Sequence, residues 1–230
     1  SFYSNFEIVN KSENPVVIFG SLSDSFIKKG SAILLNSGYF KNGLGLDFTF
    51  RRLENMSLFS EREAFGNVYN ESIVNYLPAL TKQHDYSLTN LYVYAAQPNV
   101  SFQSPILTKA GEIGIQTDLY YFIENETFFG GKYGTNLSIN ASVWNNLDGN
   151  FDFNNQKYET ELLSFGEKYF SEISFEIRKK WSEKFDNIFL YVNQYYNKRL
   201  VEETTDEVKS NIIVLENTYK LNSNKSLRLE

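Results

Sequence analysis

The stretch from Gly111 to Asn146 constrains this chain more than any other. Ile113, Ile115, Thr117, Leu119, Tyr121 and Ile123 alternate with Gly114, Gln116, Asp118, Tyr120 and Phe122. After a glycine-rich turn, Leu137, Ile139, Ala141 and Val143 alternate with Asn136, Ser138, Asn140 and Ser142. A period of two is the signature of a strand with one apolar and one polar face. Each run lasts about ten residues, roughly what a tilted strand needs to cross a bilayer, whereas soluble strands average about five or six.

Other segments repeat the pattern. Leu44, Leu46, Phe48 and Phe50 oppose Gly45, Asp47, Thr49 and Arg51 after the turn signal Lys41-Asn42-Gly43, so residues 31–54 read as a hairpin. Ile173, Phe175 and Ile177 oppose Glu172, Ser174, Glu176 and Arg178, with Lys179 and Trp181 farther out on the apolar face, as at a membrane interface. On these cleanest strands the apolar face carries no charge across its centre, where an arginine facing lipid costs roughly 2–4 kcal/mol. The expected fold is therefore all-β, an antiparallel transmembrane β-barrel in which half of each strand faces a polar lumen. A hydrophobic content of 42% is compatible with that division. A soluble all-β module is the competing reading, because a sandwich also alternates.

About eight long strands are expected, including one at Ser87–Ala95, followed by a final strand that begins near Lys225. Residues 1–30 carry no clear period. Residues 55–85 read as a long loop with one helical turn near Glu71–Tyr76, and Asn146–Lys168 reads as a long polar connection. Two consecutive long connections between residues 55 and 110 break the alternation of long and short loops. Either a strand is missed there or one loop folds into the lumen. The stretch Asn187–Asn197 is apolar on both faces and is expected to pack inner aromatics against a plug. The strand at Val208–Leu221 has no clear phase. Residues 1–230 form one domain, expected to be an incomplete barrel at the C-terminus and open to continuation at the N-terminus.

These assignments give two residue sets. Lumen-facing polar candidates are Asp47, Arg51, Gln116, Asp118, Asn136, Asn140, Glu172, Glu176 and Arg178. Lipid-facing candidates are Leu44, Leu46, Phe48, Phe50, Ile113, Ile115, Leu119, Leu137, Ile139, Val143, Ile173, Phe175 and Ile177.

Catalytic chemistry finds little support. His84, expected to be a loop residue with no special role, is the only histidine and there is no cysteine, which excludes a multi-histidine or thiolate zinc site within these residues. Glu172 and Glu176 share a strand face, but Arg51 and Arg178 are natural partners for lumen acids, so salt bridges outweigh a glycosidase-like pair. Asp148, Asn150 and Asp152 lack the regular calcium-loop spacing. Gly130-Gly131-Lys132 lacks the phosphate-loop spacing and enters a strand. No enzyme, metal or cofactor is expected. A net charge of −6 argues against nucleic acid as a partner.

Three stretches carry a family likeness. They are Gly130-Gly131-Lys132-Tyr133-Gly134-Thr135, then Asn75-Tyr76-Leu77-Pro78-Ala79-Leu80-Thr81-Lys82-Gln83-His84 leading to Tyr92-Val93-Tyr94, and Val192-Asn193-Gln194-Tyr195-Tyr196-Asn197-Lys198. With these the chain resembles an uncharacterised family of Bacteroidota outer-membrane β-barrel proteins. The resemblance implies a larger barrel in the bacterial outer membrane and carries over no catalytic residue. The expected function is a structural or docking subunit for surface or periplasmic lipoproteins, or a porin-like channel. The alternative is a soluble extracellular glycan-binding module that uses exposed loop aromatics such as Trp144.

Overall fold

The computed structural model describes every residue except 14–16, 19–20, 23–27, 59–76, 103–107, 156, 202–203 and 223. Its strands in chain order are β1 (Phe2–Glu13), β2 (Val17–Ile18), β3 (Ser21–Leu22), β4 (Lys28–Lys41), β5 (Leu44–Glu54), β6 (Ser101–Phe102), β7 (Thr108–Lys109), β8 (Gly111–Ile123), β9 (Thr135–Asp152), β10 (Lys157–Lys180), β11 (Phe185–Val201), β12 (Thr204–Asn222) and β13 (Lys225–Leu229). Nine of them form one antiparallel sheet in the order β1-β4-β5-β8-β9-β10-β11-β12-β13. The sheet is a meander with β1 and β13 at its edges, and it is not closed on itself. β2 pairs with β3, and β6 with β7.

Turn chemistry sets the register. Lys41 pairs with Leu44, leaving Asn42 and Gly43 as a two-residue turn with φ of 51° and 76°. Positive φ at both positions matches the right-handed twist of the flanking strands. The connections after β4, β8, β10 and β12 leave from this turn end. Those after β1, β5, β9 and β11 leave from the opposite, loop end.

Because the strands pair without slips over most of their length, sequence parity becomes facial parity across the sheet. The row Gly45, Tyr120, Ser138, Glu176, Leu190 and Val214 lies on one face. The row Leu46, Leu119, Ile139, Phe175, Tyr191 and Ile213 lies on the other.

Several expectations need correction. Residues 1–30 contain β1, which pairs with β4 over its whole length. Its pattern is hidden because an edge strand has apolar residues on both sides, as in the pairs Phe2/Tyr3 and Ile8/Val9. Ser87–Ala95 is not a strand: Ser87–Asn90 is a short 3-10 turn and residues 91–100 are irregular. The two errors cancel in the strand count, which is eight long strands and a short ninth. Residues 146–168 are mostly strand, since β9 runs for 18 residues and β10 for 24. Backbone ladders tolerate polar side chains when both faces meet water, and register slips between Thr160 and Phe170 let the hairpin bend. The expected helical turn at Glu71–Tyr76 lies outside the described residues.

The bent hairpin returns to the loop end of β4 and β5. Arg52 Nη2 donates to Thr160 Oγ1 at 2.8 Å, and that hydroxyl donates to Glu54 Oε1 at 2.6 Å. Tyr158 donates to Lys29 O at 3.0 Å. Beneath these bonds Ala110, Ile113 and Leu147 form a small buried cluster with Phe50, Phe151 and Tyr158 around it.

Candidate functional site

The nine polar candidates share one face of the sheet. Asp47 stands directly opposite Asp118, and Asn140 follows on β9. Two carboxylates side by side repel. Each therefore has its own donors. Tyr3 donates to Asp47 at 2.7 Å. Asp118 accepts from Gln116 (2.9 Å), Asn140 (3.0 Å) and Lys82 (3.1 Å). Arg51 lies toward the loop end, Glu172 near the middle, and Glu176 and Arg178 toward the turn end with Asn136 beside them. The thirteen apolar candidates all lie on the opposite face, but Ile113, expected to face lipid, is fully buried there against Ala110 and Leu147 because the bent β9–β10 hairpin folds over the loop end.

What the sequence leaves unread is the covering of the polar face. Residues 77–100 lie across it and are bonded to strand after strand. Glu112 on β8 is the hub and is fully buried. Its Oε1 accepts from Arg51 Nη2 at 2.6 Å, while its Oε2 accepts from Tyr94 OH at 2.6 Å and the Gln97 amide at 2.7 Å. Arg51 also donates to Pro78 O at 2.6 Å and lies 5.3 Å from the Trp144 ring centre. The Trp144 indole donates to Leu80 O at 3.1 Å. Tyr94 stacks on Trp144 and Phe170, with ring centres 6.3 and 5.2 Å apart.

Three further anchors follow. Lys82 bonds Asp118 and Tyr120. His84 Nε2 lies 3.0 Å from Glu172 Oε1, and Gln194 donates to the other oxygen of Glu172 at 2.7 Å. Tyr86 donates to Glu216 at 2.8 Å and packs on Leu190, Val192 and Val214. Arg228 on β13 completes the Glu216 pair at 2.8 Å. The segment thus touches the sheet from β5 to β13. Charge-assisted bonds of this kind are the strong ones, and a buried polar group left unmatched is costly.

Titration behaviour follows the same contacts. Burial, then the charge and hydrogen bond of Glu112, push the Tyr94 phenol far above its ordinary value. Burial and Glu216 do the same to Tyr86. Burial works against the Lys82 ammonium, but the Tyr120 and Asp118 contacts outweigh it and hold its pKa up.

Four site expectations change. His84 is a buried partner of Glu172 rather than a loop residue without a role. Trp144 is fully buried under Tyr94 and Arg51, so it cannot offer an exposed ring to a saccharide. On β11 the inner face is aliphatic (Ile188, Leu190 and Val192), while Phe189, Tyr191 and Tyr195 point outward; only Tyr196 is an inner ring. Strand β12 is now phased: Glu216 points inward, and Asn217 points outward to accept from Asn187 at 3.0 Å.

Between the segment and the turn end of the sheet lies a cavity of about 650 Å³. Lys82, His84 and Asp85 form its roof, and β4, β8, β9 and β10 form its walls. Among the described residues no group of three His, Asp or Glu is placed to hold a metal ion.

The chain matches a family of unknown function, DUF6029, over residues 1–230. No curated protein and no solved structure matches it.

Proposed function

Because the chain belongs to DUF6029, its role has to be read from its surfaces, and we propose that it forms wall and plug of an outer-membrane β-barrel. The barrel is an occluded structural or docking subunit for surface lipoproteins rather than an open channel.

One observation carries the membrane reading: the apolar band on the outer face crosses the strands obliquely. At the loop end its margin is Ser31 on β4 and Asn211 on β12. Register carries Asn211 back through Asn193, Ile173, Ala141, Thr117 and Phe48 to Ser37, six residues from Ser31. Six residues span about 20 Å at ~3.4 Å each, and the six strand steps from β4 to β12 span about 29 Å at ~4.8 Å each. The slope is about 35°, within the strand tilt of roughly 35–45° in transmembrane barrels.

The turn-end margin descends in parallel, through Tyr39, Tyr121, Trp181 and Tyr219, all on the outer face and in the manner of an aromatic girdle. From Ile115 to Tyr121 the uncovered band measures about 20 Å along the strand, hence about 17 Å along the barrel axis, against the ~25 Å of such bands, and Ile113 beyond it is buried beneath the β9–β10 hairpin. Outer residues such as Ile173 and Ile213 are 51% and 69% exposed, so among the described residues this part of the band has no cover. The resemblance to Bacteroidota outer-membrane barrels points the same way.

Occlusion follows from residues 77–100, which are tied to the polar face by bonds to the buried Arg51–Glu112 ion pair and by further buried hydrogen bonds. The full-length protein is expected to require detergent for extraction, to shift its gel mobility on boiling, and to give no stable conductance in planar bilayers. Recovery in buffer without detergent would remove the membrane reading. A large steady conductance would remove the docking reading and leave a channel.

A further inference from the structure

We propose that the cavity between residues 82–85 and the turn end of the sheet is a binding site for an uncharged saccharide. The inference needs only the cavity and its roof, and does not depend on the membrane reading.

Charge comes first. Four charged side chains line the cavity, Lys82 and Arg178 against Asp85 and Glu176, so they balance. Three of the four are also engaged. Arg178 holds Glu176 through two bonds, at 2.5 and 3.1 Å, and lies 4.0 Å from Asp85. Lys82 is held by Asp118 and Tyr120. His84 uses Nε2 on Glu172. An anionic ligand would have to displace Glu176 from Arg178 or Asp118 from Lys82, and the one loosely held charge, Asp85, is 86% exposed. A neutral ligand would displace neither.

Uncommitted hydrogen-bonding groups come second. Gln83, Asn136, Ser138 and Ser174 all line the cavity, and none of their side chains is bonded within the described protein. They offer two amides and two hydroxyls, groups that both donate and accept, as sugar hydroxyls require.

Ring faces come third. Phe40 and Tyr120 lie on either side of Gly45, whose hypothetical Cβ would sit 3.4 Å from the Phe40 ring and 3.6 Å from Tyr120 Cβ. A side chain at position 45 would fill the gap between them. Phe40 and Tyr120 remain 59% and 40% exposed. Flat apolar faces beside neutral donor–acceptor groups match the two sides of a pyranose ring. A volume of about 650 Å³ admits one or two such rings.

The test uses the full-length protein in a detergent without a sugar headgroup, since maltoside headgroups belong to the proposed class. Titration calorimetry with methyl glucoside, methyl galactoside, methyl mannoside and the disaccharides maltose, lactose and cellobiose should find binding by at least one. Glucuronate and inorganic phosphate should bind on the order of tenfold more weakly or not at all. Phe40→Ala and Asn136→Ala should each weaken the sugar on the order of tenfold. Neither side chain anchors residues 77–100, so amide exchange in that segment should match the parent protein. Phe128→Ala, an exposed ring on the β8–β9 turn outside the cavity, should bind as the parent does. No heat from any neutral sugar up to about 10 mM would overturn the proposal. So would binding unchanged in both variants, or glucuronate bound as tightly as its neutral counterpart.

Discussion

Glu112→Gln tests whether residues 77–100 are fixed to the sheet by the buried charge pair. The change keeps shape and removes charge. In the parent, both carboxylate oxygens accept, from Arg51, Tyr94 and the Gln97 amide, at 2.6–2.7 Å. A glutamine must turn its NH2 toward one side, so either Arg51 or the Tyr94 and Gln97 pair faces a donor. Arg51 would then hold a buried positive charge with Pro78 O and the Trp144 face as its remaining contacts. Removing one partner of a buried pair costs about 3–5 kcal/mol. Solvent screening does not reduce this, because the side chains of Arg51 and Glu112 are only 6% and 0% exposed. The bonds to Pro78 and Gln97 place the cost on the segment. Hydrogen exchange of residues 77–100 should therefore accelerate by roughly 150- to 5,000-fold, while β9 and β10 keep their protection. A double-mutant cycle with Arg51→Met should give a coupling of at least about 1.5 kcal/mol. An opening cost below about 0.5 kcal/mol for Glu112→Gln would refute the pair as the fastening of the segment.

Three other outcomes are expected. Tyr86 and Tyr94 both have raised phenol pKa values, so their folded forms hold the proton longer than the unfolded chain does. Stability is thus intact below the unfolded tyrosine value of about 10 and falls as pH rises above it. Absorbance at tyrosinate wavelengths should show these two rings titrating only when the segment detaches, and early titration of both would contradict their burial. Ile139→Arg, on the outer face, should destabilise folding into bilayers by about 2–4 kcal/mol, whereas Ser138→Arg, one residue away but facing inward, should cost far less; equal costs would be inconsistent with a lipid-facing band. Gly114→Ala would place a Cβ 2.2 Å from Val143 O and 2.4 Å from the Trp144 ring, so chemical denaturation should register a loss of at least about 1–3 kcal/mol. A neutral result would mean that β8 and β9 can separate at no cost.

How much was legible depends on whether a residue's fate was set by its neighbours in sequence. The hairpin around Asn42-Gly43 and the alternation in β5, β8, β9 and β10 are local, and the structure has them where the pattern put them. Strand β1 was hidden because both its sides are partly apolar. Residues 87–95 imitated a strand through their β-favouring Leu, Tyr and Val content, but of residues 86–95 only Tyr86, Thr89 and Tyr94 are buried on the sheet, a spacing set by packing on a wall rather than by strand pairing. The hairpin tip at 147–165 was unreadable because its partners, Arg52 and Lys29, come from strands more than 100 residues earlier.

The sequence by itself determined an antiparallel all-β chain, the two facial residue sets and the turn at Asn42-Gly43, because strand parity and turn preference act between near neighbours. Only the tertiary structure decided that residues 77–100 lie on the polar face, that His84 meets Glu172, and that Tyr86 meets Glu216 across 130 residues. The physical reason is the same in each case. A carboxylate on an alternating strand announces which face it takes, but its partner is fixed by which distant donor the fold brings within bonding distance, and many segments of this chain offer donors.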